Sequence, residues 1–477
     1  MFLFVILGKT FNRGVMMGDM GIELQESPKT IYNIKEINKK ILSMILPITV
    51  ENILQMVAGI VSMGMVGRID VLAISALGIS MRITQLVWGL FKGIAIGATV
   101  FVAQYYGAGE HKKMLTVIQQ TMLSTIAVVV VLEILIFWGA PALLSIFNPS
   151  AELLKQAVIY LRLVSLGLPF LAMMLVIGGV LQGMGNARTP MFITMLMNIV
   201  NIVVGYLLIF GKMGFPAMGI RGAAIATVIS QIIAVLLGLY ALFNKNGIMR
   251  CYFNKSFFTV DISQVREIYK VGLPSSMESI FWQTAAIIIT RAILNYGETS
   301  FAAHQLGLQA ESISYMPAAG FAVAATAFIG QALGAKDKDL AKLYFKQIMK
   351  GAMIITALCA SILIFLPGPI MSLLTNNKEI IKLSSIYLIL MGIVQLPQNA
   401  TGVLSGAMRG AGYTKVPMHV AGIGLWGIRV PLVLVVAYGM NLSIVVIWSV
   451  FCLDLCVRFI ICLAMFKGKN IYEKNLI

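Results

Sequence analysis

Long apolar segments recur along the whole chain, and they constrain its fold more than any other feature. Each has about 20 residues or more with few charges, which is long enough for a helix to cross a hydrocarbon layer of about 30 Å. Because the bilayer interior offers no water to the backbone, segments of this kind span it as helices. We predict twelve spans: 41–66, 72–104, 115–138, 153–181, 190–211, 221–243, 267–295, 301–333, 348–367, 380–408, 417–438 and 442–466.

The composition agrees with this prediction. Hydrophobic residues make up 59% of the 477 residues, charged residues only 12%, and the mean hydropathy is +0.90. Soluble domains are closer to half apolar and a quarter charged. The predicted fold class is therefore an all-α integral membrane protein. No stretch between the spans is long enough for a soluble domain, and the longest loop, 244–266, has room for one short helix.

Lysine and arginine are concentrated in alternate loops, and this bias sets the orientation of membrane proteins. We predict a multi-pass protein of the plasma membrane with both termini cytoplasmic. The net charge of +17 follows from the same bias. Basic residues scattered along membrane edges do not form a nucleic-acid surface, so no nucleic-acid partner is expected. The basic residues on the predicted cytoplasmic side are Lys112, Lys113, Arg188, Lys245, Arg250, Lys255, Lys336, Lys338, Lys342, Lys415, Lys467, Lys469 and Lys474.

The two halves of the chain repeat at a constant separation. Pro274 and Glu278 lie 227 residues after Pro47 and Glu51. The same separation relates Gly93 to Gly320, Gln104 to Gln331, Gly107 to Gly334, Tyr160 to Tyr387, Gly185 to Gly412 and Pro190 to Pro417. One register without a gap therefore aligns landmarks in successive segments, which indicates an internal duplication.

Each half holds six predicted spans, an even number, so the halves share one orientation about a pseudo-two-fold axis along the membrane normal. Many secondary transporters are built in this way and work by alternating access. The predicted domains are a cytoplasmic leader (1–40), an N-lobe (41–243), a cytoplasmic linker (244–266), a C-lobe (267–466) and a cytoplasmic tail (467–477).

Glu51 and Glu278 occupy equivalent positions one turn after a proline inside a predicted span. A charge in the centre of a membrane costs roughly 2.5–3.5 kcal/mol or more. Binding of H⁺ or Na⁺ cancels that charge and can favour a different packing of the half. The pair is therefore a candidate for ion coupling. The alternative for Glu51 is that it satisfies a neighbouring buried donor or a basic side chain.

Other chemistries find little support in the sequence. The GKT at 8–10 lacks the upstream glycine of a nucleotide-binding loop, so ATP is not expected as the direct energy source. Only three histidines are present, His111, His304 and His419, and they are dispersed. A membrane enzyme would require a cluster of His, Asp or Glu at a membrane surface. We expect neither enzymatic activity nor a cofactor.

Four long motifs resemble the multidrug and toxic compound extrusion (MATE) family. They are AAHQLGLQAESISYMPAAGFAVAATAFIGQALGAKDKD (302–339), its degraded copy at 76–113, the stretch 189–231 with TP, NIVN and GIRGAAIATVISQ, and LSGAMRGAGYTKVP (404–417). The resemblance covers about residues 38–466. It implies two six-helix lobes around a central cavity, and export of organic, often cationic and amphipathic, compounds in exchange for H⁺ or Na⁺. It also implies a monomer in the lipid bilayer.

The resemblance assigns roles to particular positions. Glu278 and Glu311 lie where many bacterial members carry acids facing into the lobe. Asn198 and Asn201 lie where the family builds part of an N-lobe cation site, although they could equally join helices by hydrogen bonds. Three acids that members carry are absent: Ser62 stands at the first position, Ile202 lies near the second, and Gln398 stands at the third. Coupling is therefore expected to rest on Glu51, Glu278 or Glu311.

Two basic residues and one tryptophan complete the candidate site. Lys92 and Arg82 lie inside the second span, and Lys92 either pairs with Glu51 or acts as a fixed cation that replaces the missing ion site or receives an anionic substrate. Trp282, one turn after Glu278, is a candidate wall for a flat cationic substrate. Asp454 and Arg458, four residues apart, are predicted to form a structural ion pair.

A flippase for a lipid-linked precursor is the alternative function, because such proteins share the two-lobe architecture. They often have a strongly basic central cavity. Here the central candidates are mixed: Glu51, Glu278 and Glu311 are acidic, and Arg82, Lys92, Arg291 and Arg429 are basic. This mixture favours the antiporter.

Overall fold

The computed structural model of the chain describes residues 32–245, 247–250, 255–440 and 442–473. Every regular element within them is a helix, which confirms the all-α prediction. The predictions for leader residues 1–31 and tail residues 474–477 lie outside the described residues. The helices are α1 (Ile34–Gly67), α2 (Val71–Gly107), α3 (His111–Ser145), α4 (Ala151–Ser165), α5 (Leu168–Gly183), α6 (Arg188–Phe210), α7 (Ile220–Phe243), α8 (Ile262–Leu294), α9 (Glu298–Gly334), α10 (Lys338–Phe365), α11 (Pro367–Ser372), α12 (Lys378–Gly410), α13 (Lys415–Met440) and α14 (Ile444–Gly468).

The number of spans agrees with the sequence. Among the described residues, eleven helices are long and apolar enough to cross a membrane, and the bent pair α4 and α5 supplies the twelfth span. That pair, predicted as one continuous span, bends by 49°. The bend lies at Gly167, where a Cβ would clash with the Gln231 side chain, and Pro169 is the second residue of α5. The linker holds the expected short helix, Lys255–Phe258.

The internal repeat is visible in the hydrogen bonds. Thr99 Oγ1 donates to the carbonyl oxygen of Gly179 at 2.9 Å. The residue 227 positions later, Thr326, donates to the equivalent carbonyl of Gly406 at 3.0 Å. The turns after α5 and α12 also match, since Gly185 and Gly412 have φ of 83° and 81°. The register read from the sequence therefore holds at the level of single bonds.

The helices form two compact units. Unit 1 contains Val50–Val102, Glu110–Lys270 and the described residues before Ile37. Unit 2 contains Ile37–Thr49, Ala103–Gly109 and the described residues from Val271 onward. Helices α1 and α2 therefore contribute to both units. The domain boundaries given above remain predictions.

Within unit 2, the last turn of α2 crosses the last turn of α9 at very close range. A Cβ built on Gly334 would overlap the backbone carbonyl of Gln104, and one built on Gly107 would overlap the carbonyl of Gln331. The Gln104 side chain donates to the carbonyl oxygen of Gly410 at 2.8 Å, which ties α12 to the same crossing. Only glycine permits backbones to approach this closely.

The residue two positions after each crossing glycine is strained in only one half of the chain. Gly109 and its repeat equivalent Lys336 both adopt the left-handed conformation, with φ of 70° and 59°. This conformation costs a residue with a side chain about 1–2 kcal/mol, and part of that cost is offset by the entropy that glycine loses on folding. We expect Lys336→Gly to stabilise the protein by up to about 1 kcal/mol, measured as a higher unfolding midpoint of the purified protein in detergent.

The matched control for Lys336→Gly is Lys338→Gly, because Lys338 is the first helical residue of α10. Glycine at a helical position should lower the midpoint. Equal losses for the two variants would show that Lys336 carries no strain.

Candidate functional site

Unit 1 contains a polar face on an otherwise apolar helix. Thr194, Asn198 and Asn201 lie on one side of α6, because residues three and four apart share a helix face. Asn201 Oδ1 accepts a hydrogen bond from Ser62 Oγ of α1 at 3.0 Å. Its Nδ2 donates to Thr227 Oγ1 of α7 at 3.3 Å. The Ser62 hydroxyl therefore joins α1 to α6, and the Asn201 amide joins α6 to α7.

Glu51 contacts the N-terminal end of this polar face, at Thr194. Thr194 Oγ1 donates to Glu51 Oε1 at 3.1 Å. Within the described residues, the other oxygen, Oε2, is shielded from solvent and has no hydrogen-bond partner, and the same is true of Asn198 Nδ2. Lys92 interacts electrostatically with Glu51, and its Nζ lies 4.4 Å from the centre of the Trp88 ring. The site thus offers one shielded carboxylate oxygen beside amide and hydroxyl groups.

The repeat equivalent of Glu51 has a different environment. In unit 2, Arg409 Nη2 lies 2.8 Å from Glu278 Oε1 and 2.6 Å from Oε2. Only 17% of the Glu278 side chain and 16% of the Arg409 side chain are exposed. The charge of Glu278 is therefore matched by a guanidinium, whereas Oε1 of Glu51 accepts a hydrogen bond from the neutral hydroxyl of Thr194.

Three further charged groups lie close to Trp282. Arg458 Nη2 donates to Asp454 Oδ2 at 2.7 Å, which confirms the predicted ion pair. Arg429 Nε lies 2.7 Å from the same oxygen, although its N–H is not aimed at it. The Arg458 and Arg429 guanidiniums lie 4.6 Å and 5.6 Å from the centre of the Trp282 ring. These two guanidiniums therefore lie against Trp282, where the sequence predicted a cationic substrate.

The local backbone makes room for this cluster. Arg429 ends a π-helical segment of α13, Ile423–Arg429. A Cβ on Gly424 would overlap the side chain of Arg458 and approach Asp454. Irregular helical turns of this type are frequent at functional sites. The glycine lets α13 pass directly over the Asp454–Arg458 pair.

Glu311 is buried on α9 and has two well-placed donors. Tyr387 Oη donates to Oε2 at 2.6 Å, and Gln395 Nε2 donates to Oε1 at 3.0 Å. His304, which also belongs to α9, packs edge-on against Tyr387. Gln398 lies one turn after Gln395 and leaves its Oε1 without a hydrogen-bond partner. Glu311 therefore belongs to an ordered network within unit 2.

A cavity of about 250 Å³ lies in unit 2. Its charged lining comes from α8, α12 and α14, its uncharged polar lining from α12, and its apolar lining from these helices together with α9 and α13. The lining residues are Glu278, Trp282, Ala322, Gln398, Thr401, Gly402, Ser405, Arg409, Pro417, Val420, Ala421, Leu455 and Arg458.

The comparison with protein families decides the identity. The MatE family model matches the chain twice, over residues 47–207 and 274–435. The chain belongs to the MATE family of membrane transporters. The two matches begin at Pro47 and Pro274, the first pair of residues in the internal repeat, so each half of the chain is one MatE unit.

Known MATE proteins extend the match to nearly the full length. The probable multidrug resistance protein NorM of Thermotoga maritima is 30% identical over 446 residues, which cover 93% of this chain and 95% of that protein. The probable multidrug resistance protein YoeA of Bacillus subtilis is 25% identical over 410 residues, which cover 85% and 88%.

Solved structures confirm the two-lobe MATE architecture. An outward-facing multidrug resistance MATE transporter superposes with a TM-score of 0.83 at 18% identity, covering 93% of this chain and 98% of that one. A MOP superfamily transporter from Pyrococcus furiosus, described by the reverse polarity of its binding pocket, gives 0.82 at 18% identity with the same coverage.

The candidate residues of this MATE chain fall into two groups. Glu51, Lys92, Asn198 and Asn201 lie in unit 1, and Glu278, Trp282, Glu311 and Gln398 lie in unit 2. Their predicted roles in transport stay predictions.

Sequence reasoning missed Arg409 and Thr194. Arg409 follows the predicted end of a span at residue 408 and therefore resembled an ordinary basic residue at the membrane edge. Its repeat equivalent, Gln182, is uncharged, and that difference between the halves was the available signal. Thr194 gave no such signal, because a threonine on an apolar helix is common.

Proposed function

We propose that this MATE transporter is a secondary antiporter that exports amphipathic organic compounds in exchange for H⁺ or Na⁺ by alternating access. We place it in the plasma membrane, as a monomer with both termini cytoplasmic and without a cofactor. The family supports the transport function, and the positive-inside bias supports the orientation.

The observation that carries the proposal is the environment of Glu51. Its Oε2 is shielded from solvent and has no hydrogen-bond partner within the described residues. A carboxylate in such a position is unfavourable while it is charged, so it has a strong tendency to take up a cation. Of the two repeat-related acids, Glu278 already has a guanidinium beside it. We therefore assign the coupling role to Glu51 in unit 1.

Exchange follows if the coupling ion and the substrate compete for the same carboxylate. H⁺ or Na⁺ bound at Glu51 removes the negative charge that a cationic substrate would need. When the ion leaves, the charged carboxylate beside Thr194 and Asn198 can attract the cationic end of an amphipathic compound. Mutual exclusion at one group links inward ion movement to outward substrate movement when the transporter changes conformation only with the ion or the substrate bound.

Ethidium movement in proteoliposomes tests the proposal, under an imposed pH gradient and separately under a sodium gradient. We expect one gradient to drive ethidium, and Glu51→Gln to reduce that movement to the level of protein-free liposomes, because glutamine cannot change its charge. The control is Glu152→Gln, an exposed acid of unit 1 in the first turn of α4, which should transport as the wild type does.

Two results would contradict the assignment. Undiminished movement by Glu51→Gln would remove the coupling role from unit 1. Loss confined to Glu278→Gln, with folded protein of both variants shown by gel filtration, would transfer that role to unit 2. Absence of movement by the wild type under either gradient would reject ethidium antiport itself.

A further inference from the structure

The cavity of unit 2 has more positive than negative charge on its walls. Two arginines, Arg409 and Arg458, line it, and Glu278 is the one acid among its lining residues. The Asp454 carboxylate, behind Arg458, is shared with Arg429. Counted over the lining residues alone, two guanidiniums and one carboxylate leave an excess of one positive charge, since Asp454, Arg429 and Glu311 lie outside the lining.

Glu311 does not remove this excess at the cavity wall. It interacts electrostatically with Arg429, but its two oxygens accept hydrogen bonds from Tyr387 and Gln395. It is absent from the cavity lining, which is formed by other residues of α8, α9 and α12 to α14.

The lining arginines also keep unused hydrogen-bond donors. Within the described residues, Nε of Arg409 and Nε of Arg458 are both shielded from solvent and have no hydrogen-bond partner. The Arg458 side chain is only 7% exposed, and its guanidinium lies 4.6 Å from the centre of the Trp282 ring. Buried positive charge is unfavourable without a counter-charge, and an anion in the cavity would lie against the two guanidiniums that line it. Arginine is the side chain best suited to bind a carboxylate in this way.

We propose that the cavity of unit 2 is an anion-binding site for an aromatic carboxylate. An excess of one charge matches a monoanion better than a phosphate or pyrophosphate. Trp282, Pro417, Val420 and Leu455 supply an apolar wall for the ring. The volume of about 250 Å³ is below the roughly 300–1,000 Å³ of sites for drug-sized ligands. The cavity therefore holds a small aromatic acid, or the carboxylate end of a larger compound.

This inference goes beyond the proposed function, because it adds an anion site in unit 2 to a transporter whose cation coupling we place in unit 1. The two are tested by different measurements. Absence of naphthoate binding by the wild-type protein, with intact gradient-driven ethidium movement, would overturn the anion site alone. Intact naphthoate binding without gradient-driven movement would overturn the antiport proposal alone.

The experiment is equilibrium dialysis of radiolabelled 2-naphthoate against the purified full chain in detergent, corrected for uptake by micelles alone. Unlabelled compounds of matched shape compete: 2-naphthoate, 2-naphthamide and 2-naphthylmethylammonium. We expect naphthoate to compete at least about tenfold better than the amide, the ratio of one charge-assisted hydrogen bond, and the ammonium not to compete. Because this comparison uses the wild-type protein, it does not depend on the folding of a variant.

Two variants then locate the site. Arg458→Gln should weaken naphthoate binding at least about tenfold, and Arg458→Lys by less, because lysine keeps the charge but loses the planar fork. Arg266→Gln is the matched control, an exposed arginine near the start of α8 that should bind naphthoate as the wild type does. Gel filtration confirms that each variant is folded.

Three outcomes would overturn the proposal. The first is competition by the ammonium that equals or exceeds that of naphthoate. The second is unchanged binding in folded Arg458→Gln protein. The third is full displacement of naphthoate by an equal concentration of inorganic pyrophosphate, which would replace the aromatic acid with a pyrophosphate-bearing ligand such as a lipid-linked precursor.

Discussion

The Asp454→Asn variant should lose about 3–5 kcal/mol of unfolding free energy, the cost of removing one partner from a buried ion pair. Asp454 is fully buried, and its Oδ2 lies 2.7 Å from both Arg458 Nη2 and Arg429 Nε. Asparagine has nearly the same shape, so packing is preserved while the charge is lost. Two buried guanidiniums would then share no carboxylate.

The unfolding midpoint of the purified protein in detergent measures this effect. The matched control is Asp339→Asn, because Asp339 also pairs with a basic residue, Lys342 at 3.4 Å, but its side chain is 83% exposed. Exposed pairs contribute about 0–1 kcal/mol, so this variant should unfold close to the wild-type midpoint. Equal midpoints for the two variants would contradict the prediction.

A second variant separates charge from packing in the same cluster. Arg458→Gln removes one guanidinium and leaves Asp454 paired with Arg429, so each buried charge keeps an opposite partner. We expect a smaller loss of stability than for Asp454→Asn. A larger loss would mean that the stacking of Arg458 on Trp282 and its packing under Gly424 matter more than the charge balance.

The sequence predicted the number of spans and the Asp454–Arg458 pair because both depend on local spacing, and the repeat because the two halves keep equivalent residues in one register of 227 positions. Hydropathy over about 20 residues sets a span, and a spacing of four places two side chains on one helix face. The bend at Gly167 was not predicted, since the apolar run continues through it without a charge. Gly167 packs closely against Gln231 on another helix, and sequence spacing carries no information on that distance.

The candidate site was likewise predicted only in part. The equivalence of Glu51 and Glu278 followed from the repeat, but their different partners did not. Thr194 reaches Glu51 from α6, and Arg409 reaches Glu278 from α12. Both contacts join residues more than 130 positions apart. Partners of buried charges at such separations depend on helix packing, so the hydrogen bonds of each acid had to be observed.

The second large effect is expected at the crossing of α2 and α9 within unit 2. Gly334→Ala should lower stability by about 3 kcal/mol or more, at the upper end of the range for overpacked cores. A Cβ at Gly334 would lie 2.8 Å from Gln104 Cα and closer still to the carbonyl group of that residue. These are backbone atoms, so no side chain can rotate away, and the two helix ends would have to separate.

The matched control is Gly78→Ala in the same helix α2 as Gly107. A Cβ at Gly78 meets nothing within 4 Å. Alanine there should be neutral or should raise the unfolding midpoint, because alanine favours helix by about 1 kcal/mol relative to glycine. A midpoint of Gly334→Ala that equals that of Gly78→Ala would show that the helix ends have room for a methyl group.

The repeat makes a sharper demand, which a single variant cannot test. The contact of Gly107 with Gln331 matches that of Gly334 with Gln104. Gly334 lies 227 residues after Gly107, and Gln331 lies 227 residues after Gln104. Such reciprocal contact is the pattern of a two-fold interface between identical copies, here joined in one chain. Gly107→Ala should therefore cost about as much as Gly334→Ala. The double variant should cost less than their sum, because once one substitution has separated the helix ends, the second meets a gap that is already open.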